Sequence, residues 1–94
     1  MITAWDYEDD LKIIGIVYAH VSSGRHPLIE LTLDLIDSPT NHLIKRVKLS
    51  GNFQTRPNEL IEVCLRLDAD ICLVSIAQSS RSTIHFFRLT HLNE

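Results

Sequence analysis

The ten residues 28–37, LIELTLDLID, constrain the fold more than any other stretch of the chain. Ile29, Leu31, Leu33 and Leu35 fall on one parity, and Glu30, Thr32 and Asp34 on the other. A period of two with one apolar side marks a β-strand that lies on a core and keeps its second face in water. Leu and Glu favour a helix intrinsically, but a helical period would scatter these four apolar positions around the axis. Such a strand needs neighbours to pair its backbone and a second layer to cover its apolar face.

The flanking segments supply them. Residues 11–23, LKIIGIVYAHVSS, are rich in Ile, Val and Tyr and read as a strand. Both parities are apolar, so this strand is expected to be covered on both faces. Gly15 in its middle points to a bulge or a close backbone approach. Gly24 and Pro27 make SSGRHP a hairpin connection, and DSPTNH supplies the next turn. LIKRVKLSG returns as a third strand with Leu43, Val47 and Leu49 on one parity. Lys45 interrupts that set and is expected to snorkel, while Arg46 and Lys48 take the opposite side.

The segment TRPNELIEVCLRLD predicts a helix. Thr55 serves as its N-cap and Pro57 is tolerated in the first turn. Glu59 and Glu62 lie near the positive end of the dipole and Arg66 toward the other. Leu60, Ile61, Cys64, Leu65 and Leu67 form the apolar stripe. DICLVSIAQ then reads as a central fourth strand, SSRS as its turn, and TIHFFRLTHLN as the fifth strand. The expected class is α+β: a five-stranded, mainly antiparallel sheet in the order β-β-β-α-β-β, with one helix packed on one face. Ninety-four residues form one domain spanning 1–94. Residues 1–10 carry Asp6, Glu8, Asp9 and Asp10 and no Lys or Arg. They read as an acidic N-terminal tail or an edge strand, with Trp5 and Tyr7 sharing a parity.

Charge and motifs narrow the function classes. The net charge is −3, and all nine basic side chains lie beyond residue 10 together with the other eight acidic ones. A strongly basic nucleic-acid footprint is absent. Cys64 and Cys72 sit in apolar contexts and are expected to be buried free thiols rather than a disulfide framework. No signal peptide and no apolar run approaching the ~20 residues of a membrane span are seen, so a cytoplasmic protein without a membrane partner is expected. The three glycines build no phosphate-binding loop, and no nucleophile elbow is present. His85 and His91 would stand roughly 20 Å apart along a strand. The eight-residue spacing of Cys64 and Cys72 is unlike that of paired zinc ligands. No catalytic residue, cofactor or metal is expected.

One echo remains: SSGR at 22–25 and SSRS at 79–82. If the helix runs back along the sheet, both turns and the helix N-terminus lie at one end of the domain. That end gathers Arg25, Arg56 and Arg81, with His26 nearby, while Asp37, Asp68 and Asp70 gather at the other. A helix N-terminus with several guanidinium groups suits an anion. Trp5 and Tyr7 are expected to cover a sheet edge or dock into a partner. The leading expectation is a small non-catalytic protein-binding module: a regulator, inhibitor, immunity-type or chaperone-like protein. It would dock through the arginine-bearing loop end or a sheet edge, with a homodimer as one form. The alternative is a nucleic-acid-binding domain using Arg25, Arg56 and Arg81 with Lys45, Arg46 and Lys48, and with Phe86 and Phe87 available for stacking.

Overall fold

The alternation of residues 28–37 is realised directly. In a computed structural model, which describes residues 2–79 and 81–90 but not the side chains of 50–52, this stretch is strand β3 (Leu28–Asp37). Ile29, Leu31 and Leu33 are fully buried on it. It belongs to a four-stranded antiparallel meander with β1 (Ile2–Glu8), β2 (Ile13–Val21) and β4 (His42–Gln54), in the spatial order β1-β2-β3-β4. A second antiparallel sheet follows, of β5 (Glu62–Asp68), β6 (Ile71–Ala77) and β7 (Ser82–Arg88), in the order β5-β6-β7. The two sheets share one core, in which Val17, Leu31 and Leu33 of the first are clustered with Leu65, Val74 and Ile76 of the second.

The expected helix over 55–68 does not form, and the α+β class gives way to an all-β fold. Residues 55–61 are a loop, and the rest is β5. On β5, Val63, Leu65 and Leu67 are buried while Glu62, Cys64, Arg66 and Asp68 are exposed, a strict period of two. The helical stripe counted Leu60 and Cys64 as core positions; both are exposed, Leu60 at 85%. One local feature opposes a helix. Asn58 takes a left-handed φ of 62° just after Pro57, and a helix does not pass through that conformation. Tertiary burial then decides between two mild propensities, since a β-strand can put three apolar residues in a row against the first sheet.

β5 nevertheless runs back as the helix would have, so the strands after it keep their expected directions. The fourth and fifth expected strands are β6 and β7, with β6 central in its sheet. Residues 91–93 of the expected fifth strand lie outside the described residues.

Gly15 shows why the layers can close. A Cβ there would stand 2.8 Å from Leu67 Cδ1 and 3.2 Å from Leu65 Cδ2. The glycine marks a close approach of β5 to β2, and the register runs through it without a bulge. β2 is covered on this side only: Gly15, Val17 and Ala19 are buried, whereas Ile14, Ile16 and Tyr18 on the other face are half-buried. The expectation of two covered faces is corrected here.

The sheets meet along two seams of different construction. At one, β1 and β5 lie side by side without a backbone ladder. Asp6 Oδ2 accepts the Leu67 N–H at 2.8 Å, and Glu8 Oε2 accepts the Ala69 N–H at 2.8 Å. Glu8 Oε1 also accepts the Asp10 N–H at 2.8 Å, and Glu8 is buried. At the other seam, β4 and β7 share no ladder among the described residues. Phe53 packs edge-on against His85, with ring centroids 4.4 Å apart at 82°. β4 gets there through an irregularity: two residues of β3, Ile29 and Leu31, span the register from Phe53 to Leu49, and such an insertion bends a strand. Thr83, His85 and Phe87 on the inner face of β7 are only half-buried.

The close approach at Gly15 is testable by stability. Gly15→Val is expected to cost about 1–3 kcal/mol, the usual range for overpacking a filled site. In a Leu67→Ala background the same change is expected to cost less, because the obstructing methyl is gone. Urea denaturation of the four members of this cycle measures the coupling; strict additivity would mean that the two layers are not in contact at this point.

Candidate functional site

Three loops come together at one end of the molecule. In the loop of residues 22–27, Ser22 Oγ accepts the Leu28 N–H at 2.9 Å, and the Ser22 N–H donates to the Leu28 carbonyl at 2.9 Å. Gly24 takes φ 125° there, open to glycine. The Thr55 N–H donates to the Pro27 carbonyl at 3.1 Å and so ties the loop of 55–61 to the first. The β6–β7 turn is closed by the Gln78 N–H donating to the Arg81 carbonyl at 2.8 Å.

Arg56 and Arg81 line one open pocket of about 220 Å³ with Gln54, Thr55, Glu59 and Gln78. Ser22, Ser23, Gly24 and Pro27 face Arg56, Asn58 and Glu59 across an adjacent cleft. Arg25 and His26 are exposed on the same loop but line neither pocket. The helix N-terminus expected at this end is absent, and with it the free helical N–H groups of the anion site.

A carboxylate of the chain itself occupies the centre. Glu59 Oε1 accepts the Thr55 hydroxyl at 3.0 Å and the Gln78 amide at 2.9 Å, and Oε2 accepts the Ser79 hydroxyl at 2.7 Å. The Ser79 hydrogen bond is the largest influence holding the Glu59 carboxyl below its ordinary range. Thr55, Gln78 and the Arg56 charge add to it against a partial desolvation. Arg81 is engaged too: Nη2 donates to the Gln54 carbonyl at 3.0 Å, and Nε to Gln78 Oε1 at 3.2 Å. The second Ser-Ser-Arg turn is thus a clasp for Glu59. Its Ser80 lies outside the described residues.

Arg46, in the middle of the basic run on β4, is likewise tied inward. Arg46 Nε and Nη2 donate to the two oxygens of Asp34 at 2.7 and 2.9 Å, directly across the β3–β4 register. Asp34 is only 3% exposed on what would otherwise be a wet face. The Asp34 hydrogen bonds raise the Arg46 pKa further. Lys48 is exposed beside it, opposite Thr32.

Trp5 and Tyr7 point away from the core. Asp6 and Glu8, on the alternate parity, take the edge-covering role the aromatics were expected to fill. Trp5 is 70% exposed and lines a shallow groove with Thr3, Ala4, Ile14, Ile16 and Tyr18 on the outer face of the first sheet. Of the cysteines, Cys72 is buried and its thiol is pushed up to about 11 by desolvation. Cys64, expected in the core, is exposed.

The described residues leave β7 as an unpaired edge. The Leu89 N–H donates to the Asp70 carbonyl, and the Arg81 carbonyl accepts from the Gln78 N–H, both toward β6. Backbone groups alternate along an antiparallel strand. The odd-numbered residues of β7 therefore bond to β6, and the N–H and C=O groups of Ser82, Ile84, Phe86 and Arg88 aim at the open side. Ile84 and Phe86 are 62% and 72% exposed on the outer face. Phe87 lies on the opposite, half-buried face, as the alternation requires. At the far end of the molecule, Asp10 and Asp70 line a groove of about 560 Å³ with Leu11, Leu35, Ile44 and Leu89.

Glu59 sets a pH dependence with a definite sign. Its folded pKa is lowered, so its contribution is present above the ordinary carboxylate value and is lost as pH falls through the lowered one. Wild-type chain is expected to lose protection of the 55–61 amides on acidification. Glu59→Gln should show that loss already at neutral pH and change little below it. Amide exchange by NMR at both pH values reads the difference; identical profiles for the two proteins would remove Glu59 as the clasp.

Comparison with family models, curated proteins and solved structures finds no match to this chain.

Proposed function

We propose that this chain is a small non-catalytic protein-binding module that takes up an extended segment of its partner along the open edge of β7. The observation carrying this reading is the row of N–H and C=O groups on Ser82, Ile84, Phe86 and Arg88 that is unpaired among the described residues, flanked by exposed Ile84 and Phe86. Strand addition at such an edge gives affinity through main-chain hydrogen bonds and selectivity through alternate side chains. An exposed edge is otherwise a liability that proteins cover or blunt.

Of the two docking surfaces weighed from the sequence, the edge has the better support. The arginine end already holds Glu59 among its donors, and Arg81 is committed to Gln54 and Gln78. The nucleic-acid alternative loses support for a similar reason, since Arg46 is forked onto Asp34. A regulator, inhibitor, immunity-type or chaperone-like role would each use an edge in this way. A cytoplasmic setting goes with this reading, because Cys64 and Cys72 are both free thiols and Cys64 is exposed.

Selection of short extended peptides displayed on phage against the intact chain tests the proposal. Selected peptides are expected to protect the Ile84 and Phe86 amides from exchange. Phe86→Lys should weaken them at least tenfold, while joint Arg25→Glu and Arg56→Glu changes leave them unaffected. Binders sensitive to the arginine changes and indifferent to Phe86→Lys would move the site to the loop end. Failure of the chain, kept dilute and monomeric, to select any binder would overturn the reading.

A further inference from the structure

We infer that the edge of β7 pairs with the β7 of a second copy of this chain, antiparallel, about a two-fold axis through His85. The inference rests on the edge reading above and names the partner.

The edges of the two sheets are protected unequally. β1 and β5 cover each other, with Asp6 satisfying the Leu67 amide of β5 and Glu8 the Ala69 amide just after it. β4 carries Lys45 and Lys48, and lysines on an edge strand discourage edge-to-edge pairing. β7 reads STIHFFR, without Lys, Pro or Gly, and its register with β6 is unbroken along all seven residues. It is a regular strand whose one formal charge, Arg88, sits at its end.

The hydrogen-bonding phase then selects the register. Outward groups sit on the even residues, so a second β7 must set even against even. An axis lying between two residues would oppose an outward group to an inward one and is excluded. An axis on His85 overlaps the whole strand: Ser82 faces Arg88 of the copy and Ile84 faces Phe86, each pair occurring twice. Moving the axis to Ile84 leaves Arg88 unpaired, and moving it to Phe86 sets Ile84 against Arg88. Centred on His85, no like charges meet. Four exposed apolar side chains join into one stripe across the outer face, and apolar cross-strand pairs are the unit of sheet stabilisation.

The inner face of the same register places His85 on the axis. His85 Nε2 is buried and has no hydrogen-bond partner within the described residues of one copy. On the axis, His85 is opposite its own counterpart in a non-hydrogen-bonded pair, the closer of the two antiparallel spacings, at about 4.5 Å between Cα atoms. The pairing sets the two imidazoles across the axis from each other, each ring edge-on to the Phe53 of its own copy. The product is a continuous six-stranded sheet.

Sedimentation of the intact chain from micromolar to millimolar concentration tests the inference. Wild type is expected to double its mass as concentration rises. Phe86→Lys, at an exposed position, should raise the dimer dissociation constant at least tenfold with unchanged circular dichroism. Ile84→Pro, which removes an outward N–H and leaves the bonds to β6, should do the same. In a Cys64→Ser background, His85→Cys should cross-link two copies under mild oxidation, and Ile84→Cys should not. A chain that stays monomeric throughout, or a dimer indifferent to Phe86→Lys and Ile84→Pro, overturns the inference. Preferential cross-linking at residue 84 overturns the register. A monomer that still binds selected peptides in a Phe86-dependent way refutes self-pairing while leaving the binding module standing; loss of both refutes both.

Discussion

Two strands that lie side by side without a ladder must still dispose of their backbone polar groups, and in this fold two carboxylates do it. Asp6 and Glu8 reach from β1 to the N–H groups of Leu67 and Ala69. Hydrogen bonds to a charged acceptor contribute roughly 1.5–3 kcal/mol each, and unsatisfied buried amides would cost a similar amount. This contact fixes where β5 lies, and β5 decides the rest. It brings Leu65 and Leu67 over Gly15, leaves the second sheet growing away from β1, and makes β7 that sheet's last strand among the described residues. The acidity of the N-terminal ten residues is therefore structural in part: two of the four acids face inward at the seam.

That arrangement also explains what was legible in the sequence and what was not. Period-two runs announced β3, and Gly15 announced a close approach. Residues 62–68 carry the same signal: Val63, Leu65 and Leu67 alternate with Glu62, Cys64, Arg66 and Asp68. A helical reading competed because Leu and Glu populate both patterns and because Leu60 and Cys64 extend an apparent stripe. What decided against it is non-local. The inner face of the first sheet needs a partner layer, and only a strand could bond its edge to Asp6 and Glu8. The direction of the chain survived the error, because a strand and a helix both return it to the far end.

The loop end was legible in placement and misread in chemistry. The arginines and the Ser-Ser turns were expected to receive an anion from outside. In the sequence, Glu59 reads as a partner for a helix dipole, which conceals it as that anion. In the folded chain Thr55, Gln78 and Ser79 converge on it. Their separation along the sequence hides the cluster, which exists only because three loops share one end. The same holds for Asp34, whose place on a polar parity gave no sign of burial until Arg46 was set directly across from it.

The unequal seams have a mechanical consequence. The molecule resembles a book whose spine is sewn and whose opposite margin is loosely closed. Along the spine, carboxylate bonds and the Gly15 contact hold two leaves together. Along the margin, the ties gather at the upper corner, in Phe53 against His85 and in the Gln54 carbonyl taken by Gln78 and Arg81. The softest distortion of such a body is rotation of the three-stranded leaf about the spine. It would widen the lower margin first, with Leu65 and Leu67 as the pivot, and expose the flanks of Phe87 and Val47 before any ladder is broken.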